Sequence, residues 1–250
     1  MNEGVGNKKI SFMELEWDTT FFGVNCAKAI LHSVPDLYEW QEFKKKLNNY
    51  DFITIENQNS EPLNAQLLGK ETTAFLADTN IQFSKKVTTV DYLDKNVEVL
   101  SSLEENQEIL ELTHFQYSKF IEDEQLAKRG GDKLYYQWVN NCFERQDKLF
   151  TISRDDDNRV NGYLLHSFSN NVCTIELIAV SENSFGKGIG RQMFRATEDN
   201  AYRNGMKEIK VGTQIRNIGA INFYHKLGCK QVGCHQVFHW WNQDSNYKMQ

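Results

Sequence analysis

The chain has 250 residues and carries 28 Lys and Arg against 34 Asp and Glu, a formal net charge of −6. That length holds one large domain or two small ones, each with a real core. An acidic chain with no basic run among aromatics is a poor general binder of nucleic acid, and no stretch nears the roughly 20 consecutive apolar residues of a membrane span.

In chain order, the opening MNEGVGNKKI has no apolar core of the kind a secretory leader carries, so a cytoplasmic protein is expected. CAKAILHS (26–33) predicts a strand. Pro35 then precedes a helical pattern with Leu37, Trp40, Lys44 and Leu47 on one face. DFITIEN (51–57) alternates as a strand does, EPLNAQLLGK (61–70) predicts a short helix ended by Gly69, and TTAFLAD (72–78) predicts a further strand. The polar stretch TNIQFSKK (79–86) suggests a boundary near residue 85. This divides the chain into a smaller N-terminal α/β domain, 1–85, and a longer unit, 86–250.

In the longer unit VTTVDYL (87–93) predicts a strand. Residues 104–121 carry Ile109, Leu112, Phe115 and Tyr117 in a helical pattern. A polar loop (121–133) holds the Gly130-Gly131 pair, and LYYQWVNNCF (134–143) predicts an aromatic-rich helix. KLFTISR (148–154) and GYLLHSFS (162–169) flank a short polar turn and predict an antiparallel hairpin. The strand CTIELIAV (173–180) leads into a glycine-rich loop and a helix from Gly188 to Asn204, with Gly205 placed to end it. EIKVGTQ (208–214) is a strand, Asn217 can cap a helix ending before Gly228, and QVFHWW (236–241) is a last strand. The class is α/β, with a mixed central sheet flanked by helices.

Five cysteines, Cys26, Cys142, Cys173, Cys229 and Cys234, are an odd count, and a disulfide framework is not expected. Cys229, Cys234, His235 and His239 loosely mimic a zinc site. Strand alternation sends Cys234 and His235 to opposite faces, so buried thiols and ordinary strand histidines are the better reading and no metal is expected.

The loop SFGKGIGRQM (184–193) sets Gly186, Gly188 and Gly190 beside Lys187 and Arg191. A helix start offers unpaired N–H groups and partial positive charge, and glycines let an anion approach the backbone. The spacing G-x-G-x-G meets neither the dinucleotide fingerprint nor the P-loop. Alone, it reads equally as an anion cradle or as a turn that starts a helix.

Its surroundings carry more. IELIAVSENSFGKGIGRQMF resembles the acetyl-CoA motif of the GNAT N-acyltransferase superfamily, a strand ending in Ala-Val, a turn, and [QR]-x-x-G-x-[GA] opening a helix. Gly188 and Gly190 match, while Phe185 stands where Gln or Arg is usual. NIGAINFYHKLGC resembles the second signature of that superfamily in Asn217, Ala220, Phe223, Tyr224 and Gly228, with Cys229 in place of the usual Phe.

The resemblance implies acetyl transfer from acetyl-CoA to an amine. It implies that Ile178, Ala179 and Val180 pair with the pantetheine amides, and that a backbone N–H near Ile178 steadies the oxyanion. It places the pyrophosphate on Phe185, Gly186, Lys187, Gly188, Ile189, Gly190 and Arg191, with Asn217 and Tyr224 completing the cofactor set. Tyr224 aligns with the tyrosine that protonates the leaving thiolate in many relatives, against a packing role. Glu176 is either an acidic contact to the amine or a strand glutamate facing solvent or paired with lysine.

The segments LEWDTTFFGVNCAKA, HFQYSKF, LYYQWVNN and VGTQIRN further resemble bacterial dTDP-fucosamine acetyltransferases. The implied partner is a small nucleotide sugar, a dTDP-4-amino-4,6-dideoxyhexose used for surface polysaccharide. Trp17, Phe21 and Phe22 read as plain core or as a stacking platform for such an acceptor, with core favoured. Lys119, Lys128 and Arg129 are a surface cluster or flank a loop over it. Trp240 and Trp241 suit a core or a homodimer surface. Two alternatives stay open: the same chemistry on another small amine or peptide amine, and a non-catalytic CoA-binding interaction module.

Overall fold

A computed structural model describes residues 8–90 and 94–242. In chain order the strands are β1 (Ile10–Glu14), β2 (Cys26–Leu31), β3 (Phe52–Asn57), β4 (Phe75–Lys86), β5 (Val97–Ser101), β6 (Leu149–Arg154), β7 (Val160–Ser169), β8 (Val172–Val180), β9 (Glu208–Gln214) and β10 (Lys230–Trp241). The helices are α1 (Glu16–Phe22), α2 (Leu37–Leu47), α3 (Pro62–Glu71), α4 (Gln107–Leu110), α5 (Lys119–Glu122), α6 (Glu124–Ala127), α7 (Leu134–Asn140), α8 (Ile189–Arg203) and α9 (Ile218–Lys226). Among the described residues no helix is long and apolar enough to cross a membrane.

The chain divides into two compact units. Among the described residues the first takes 8–81, 118–131 and 233–242, and the second takes 82–90, 94–117 and 132–232. The first unit thus joins an N-terminal stretch to two later segments.

In the first unit β2 and β3 are parallel, and β1 and β10 flank them antiparallel. Ala27, Ala29, Leu31, Ile53, Ile55, Phe238 and Trp240 fill one face of this sheet against Trp40, Phe43 and Leu47 of α2 and Leu68 of α3. Asp36 caps α2 in a reciprocal box with Glu39, which satisfies donors at both ends of the turn.

The second unit runs β5-β6-β7-β8-β9, antiparallel except for the parallel β8–β9 pair. Phe150, Ile152, Tyr163, Leu165 and Leu177 pack one face with Ile109 and Leu110 of α4 and Val139 of α7. Thr151 and Thr197 bond at 2.8 Å within the buried interior, which brings α8 to β6.

Several expectations need correcting. The polar tract 79–86 is the continuation of β4, with Ile81 and Phe83 buried between polar neighbours. Val87–Val90 are not strand, Asp91–Leu93 of that expected strand lie outside the described residues, and β5 follows at Val97 instead. Of the opening MNEGVGNKKI, residues 1–7 also lie outside them. The expected helix over 104–121 stops after one turn. The Thr113 hydroxyl donates to the Leu110 carbonyl at 2.6 Å, and Ser118 starts a new turn by accepting from the Phe120 N–H. The loop at 121–133 contains α6, capped by Asp123. The third helix passes Gly69 and ends at Thr72, whose hydroxyl donates to the Leu68 carbonyl.

Candidate active site

The candidate site lies in the second unit and starts at β8. This strand pairs with β9 only from Val172 to Ile175, although β8 runs on to Val180 and β9 to Gln214. The cause is visible on its other side. Leu165 faces Leu177 and His166 faces Ile175, so Glu176 is an extra residue, a bulge in β8. A bulge bends a strand and increases its twist. Beyond it Ile178, Ala179 and Val180 still pair with β7, through Leu164, Tyr163 and Gly162, but have no ladder to β9. Their backbone groups on that side form an open edge, which an extended amide-bearing molecule can extend.

The bulged Glu176 is not free. Lys148 Nζ lies 2.5 Å from its Oε1, and the Ser167 hydroxyl donates to the same oxygen at 2.7 Å. Both members of the ion pair are largely buried, with side-chain exposures of 16% and 11%. Of the readings of Glu176, the structure therefore brings the lysine pair together. Neither Lys148 nor Ser167 was singled out from the sequence, since nothing local links residue 176 to a lysine 28 positions away.

After Val180 the chain turns into α8. Gly186 and Gly188 take left-handed backbone with φ of 77° and 82°, where a side chain would be strained. Gly188 caps α8 without a side-chain hydrogen bond. The first intrahelical bond is donated by Gln192 to Gly188, so the N–H groups of Ile189, Gly190 and Arg191 precede the helical ladder. Gly190 serves packing: a Cβ there would meet the Phe223 ring at 3.2 Å. Phe185 stands 65% exposed, and Lys187 and Arg191 are exposed at the same loop. Loop backbone and two cations thus lie beside an uncapped helix start, which is the composition of an anion cradle.

Asn217 caps α9, its Oδ1 accepting from the Ala220 N–H at 3.0 Å. Tyr224 is buried on that helix, its ring 5.5 Å from Phe83 and 5.3 Å from Phe223. Burial pushes the Tyr224 hydroxyl well above its ordinary pKa, and Cys229 adds to the rise. It is therefore a poor source of a whole proton and a good hydrogen-bond donor at neutral pH.

The cysteines and histidines of the zinc-like spacing go separate ways. The Ser60 hydroxyl faces Cys234 Sγ, His235 Nδ1 accepts from the Asn59 N–H, and His239 pairs with Asp123. Among the described residues no three His, Cys, Asp or Glu are grouped to hold a metal ion.

Residues 106–229 match the acetyltransferase (GNAT) family. The spore coat polysaccharide biosynthesis protein SpsD of Bacillus subtilis (strain 168) is 22% identical over 127 residues, 51% of this chain and 44% of that protein. The chain thus spans less than half the length of this relative. A GCN5-related N-acetyltransferase from Sphaerobacter thermophilus has the same fold at 9% identity and a TM-score of 0.60, over 93% of this chain and 76% of that one. A functionally unknown conserved protein from Staphylococcus epidermidis ATCC 12228 does so at 12% identity and a TM-score of 0.63, over 96% and 94%. The strand, loop and helix just described all fall inside residues 106–229, the stretch that matches the acetyltransferase (GNAT) family.

Proposed function

We propose that the chain moves an acetyl group from acetyl-CoA to the amine of a nucleotide-linked amino sugar, preferentially a dTDP-4-amino-4,6-dideoxyhexose. The observation that carries the reading is the parting of β8 from β9 beside the uncapped start of α8. That edge suits the pantetheine amides, taken up by Ile178, Ala179 and Val180, with an N–H near Ile178 toward the oxyanion. The loop Phe185–Arg191 suits the pyrophosphate. With Phe185 offering no donor, binding rests on backbone N–H groups, Lys187 and Arg191. Asn217 sets the start of α9 and so the position of Tyr224.

In the reaction the amine nitrogen forms a C–N bond as the C–S bond breaks. One proton leaves the nitrogen and the thiolate takes one up. Tyr224 donates a hydrogen bond to the sulfur as its charge grows; a free thiol has a pKa near 8.5 and would not pull a proton from a buried phenol. Glu176, fixed by Lys148 and Ser167, acts as a placed negative charge near the amine rather than as a mobile base. An amine of pKa near 8 is already partly neutral at pH 7.

The acceptor rests on two supports: the resemblance of four separate segments to dTDP-fucosamine acetyltransferases, and a relative whose name places it in polysaccharide biosynthesis. The test is to incubate the protein with acetyl-CoA and a panel of dTDP-amino sugars, polyamines and peptide amines, following free thiol. The expected result is release with 4-amino sugars above all others. Release only with polyamines or peptides would overturn the acceptor, and tight CoA binding without turnover would make the chain a binding module.

A further inference from the structure

The second unit holds a small recess of about 190 Å³ between the end of β4, one face of α8 and the end of α9. Its described lining includes Lys85 and Thr88, then Arg191, Arg195 and Glu198 of α8, and Lys226 of α9. Arg191 and Arg195 stand four residues apart on one face of α8, which is about 6 Å along the helix. Arg191 also belongs to the anion cradle at the start of α8. The recess therefore extends that cradle by one helical turn.

The carboxylate in this lining does not oppose an anion. Glu198 is 3% exposed, and its Oε1 accepts from the Thr88 N–H at 3.2 Å and the Thr88 hydroxyl at 2.9 Å. Its Oε2 pairs with Lys85. Charge and lone pairs of Glu198 are thus already matched. Two carboxylates near the same helix are engaged as well: Asp94 accepts from Gln192 Nε2 at 2.8 Å, and Asp199 pairs with Arg203 at 2.8 Å. At the end of α9 the carbonyls of Phe223, Tyr224 and His225 accept from the N–H groups of Leu227, Cys229 and Gly228. Arg191 and Lys226 are exposed, and among the described residues neither pairs with a carboxylate. Two cations on one recess repel each other unless an anion lies between them. The volume admits a tetrahedral oxyanion and is too small for a nucleoside.

We propose that this recess binds the phosphomonoester of acetyl-CoA, the 3′-phosphate of its ribose, as a site separate from the pyrophosphate cradle. A phosphomonoester carries about −1.5 to −2 charges at neutral pH, which Arg191 and Lys226 match. In the cofactor it lies one ribose ring away from the pyrophosphate, and the recess lies one helical turn beyond the cradle. Arg191 stands between the two and serves both, and Lys226 belongs to the recess alone. This rests on the reading of the cofactor as acetyl-CoA. It adds that the chain selects the cofactor that carries this phosphate over one that lacks it.

The test titrates the full chain with acetyl-CoA and with its 3′-dephospho form in a calorimeter. Acetyl-CoA should bind about 30-fold more tightly. Lys226→Gln, a change at an exposed helix end, should weaken acetyl-CoA about tenfold and the dephospho form less than about twofold. Phosphorus resonance gives a second readout. The monoester titrates near pH 6 when free, and in the complex that titration should move to lower pH, because cations hold the dianion; Lys226→Gln should reverse part of the shift. Equal affinity for the two cofactors, an equal loss of both in Lys226→Gln, or an unmoved titration overturns the inference. Equal affinity together with amide protection along 178–180 and 186–191 would sink this site alone and leave the acetyl-CoA reading standing. Failure to bind either cofactor would sink that reading and this site with it.

Discussion

Replacing Tyr224 with Phe removes one hydroxyl and little else. The ring packs against Phe83 and Phe223, and phenylalanine keeps those contacts, so the fold should hold. The lost interaction is a hydrogen bond to a sulfur that becomes negative only as the C–S bond breaks. A hydrogen bond to a charged group is worth about 1.5–3 kcal/mol, which corresponds to a fall of roughly 10- to 150-fold in kcat. Ground-state contacts are barely touched, so the KM for acetyl-CoA should change less than about twofold. Burial adds a second signature. Because it raises the pKa of the Tyr224 hydroxyl above 10, the wild-type rate should show no fall below pH 10 that disappears in the variant. Steady-state thiol release from pH 6 to 10 measures all three quantities. An unchanged kcat would refute the donor role, and a rise in KM alone would make Tyr224 a binding residue.

Other outcomes follow from the same geometry. Phe185→Gln restores a donor at an exposed loop position and should tighten acetyl-CoA about fivefold by titration calorimetry, one hydrogen bond of about 1 kcal/mol; weaker binding would place the loop elsewhere. Lys148→Met strands the buried Glu176 carboxylate and should cost about 3 kcal/mol in urea unfolding, most of it recovered in Lys148→Met with Glu176→Gln; an unchanged midpoint in the single variant would deny the pair any structural weight. His166 is fully buried, and burial holds its pKa down to about 4. The unfolded chain then protonates first, so stability present above pH 6.5 should fall by roughly 3 kcal/mol between pH 6.5 and 4; a His166→Leu chain should lack that part of the loss, and identical pH profiles would contradict it.

Much of the site was legible because its signals are local. The glycine spacing at 186–190 and the Asn217 cap are set within a few residues, and the structure gives both the expected backbone. The family resemblance implied only that Ile178, Ala179 and Val180 pair with a ligand, and the parting of β8 from β9 was not read from the residues. Its physical cause, the bulge at Glu176, is a matter of register among strands and has no one-strand signature. The same limit hid the Lys148–Glu176 pair, whose members lie 28 positions apart in sequence. Elsewhere local signals misled. Ile109, Leu112 and Phe115 fit a helix, yet Thr113 and Ser118 divert backbone groups into turns. The tract 79–86 is polar enough to pass for a linker, although Ile81 and Phe83 alternate as strand residues facing a core.

The claim on which the account turns is that acetyl-CoA occupies the opened edge of β8 and the start of α8. Amide hydrogen exchange with and without acetyl-CoA reads that directly. Protection should appear along 178–180 and 186–191, with the buried pairing of β6 and β7 unchanged. Protection confined to other segments, with 178–180 and 186–191 exchanging as in the free protein, would contradict it.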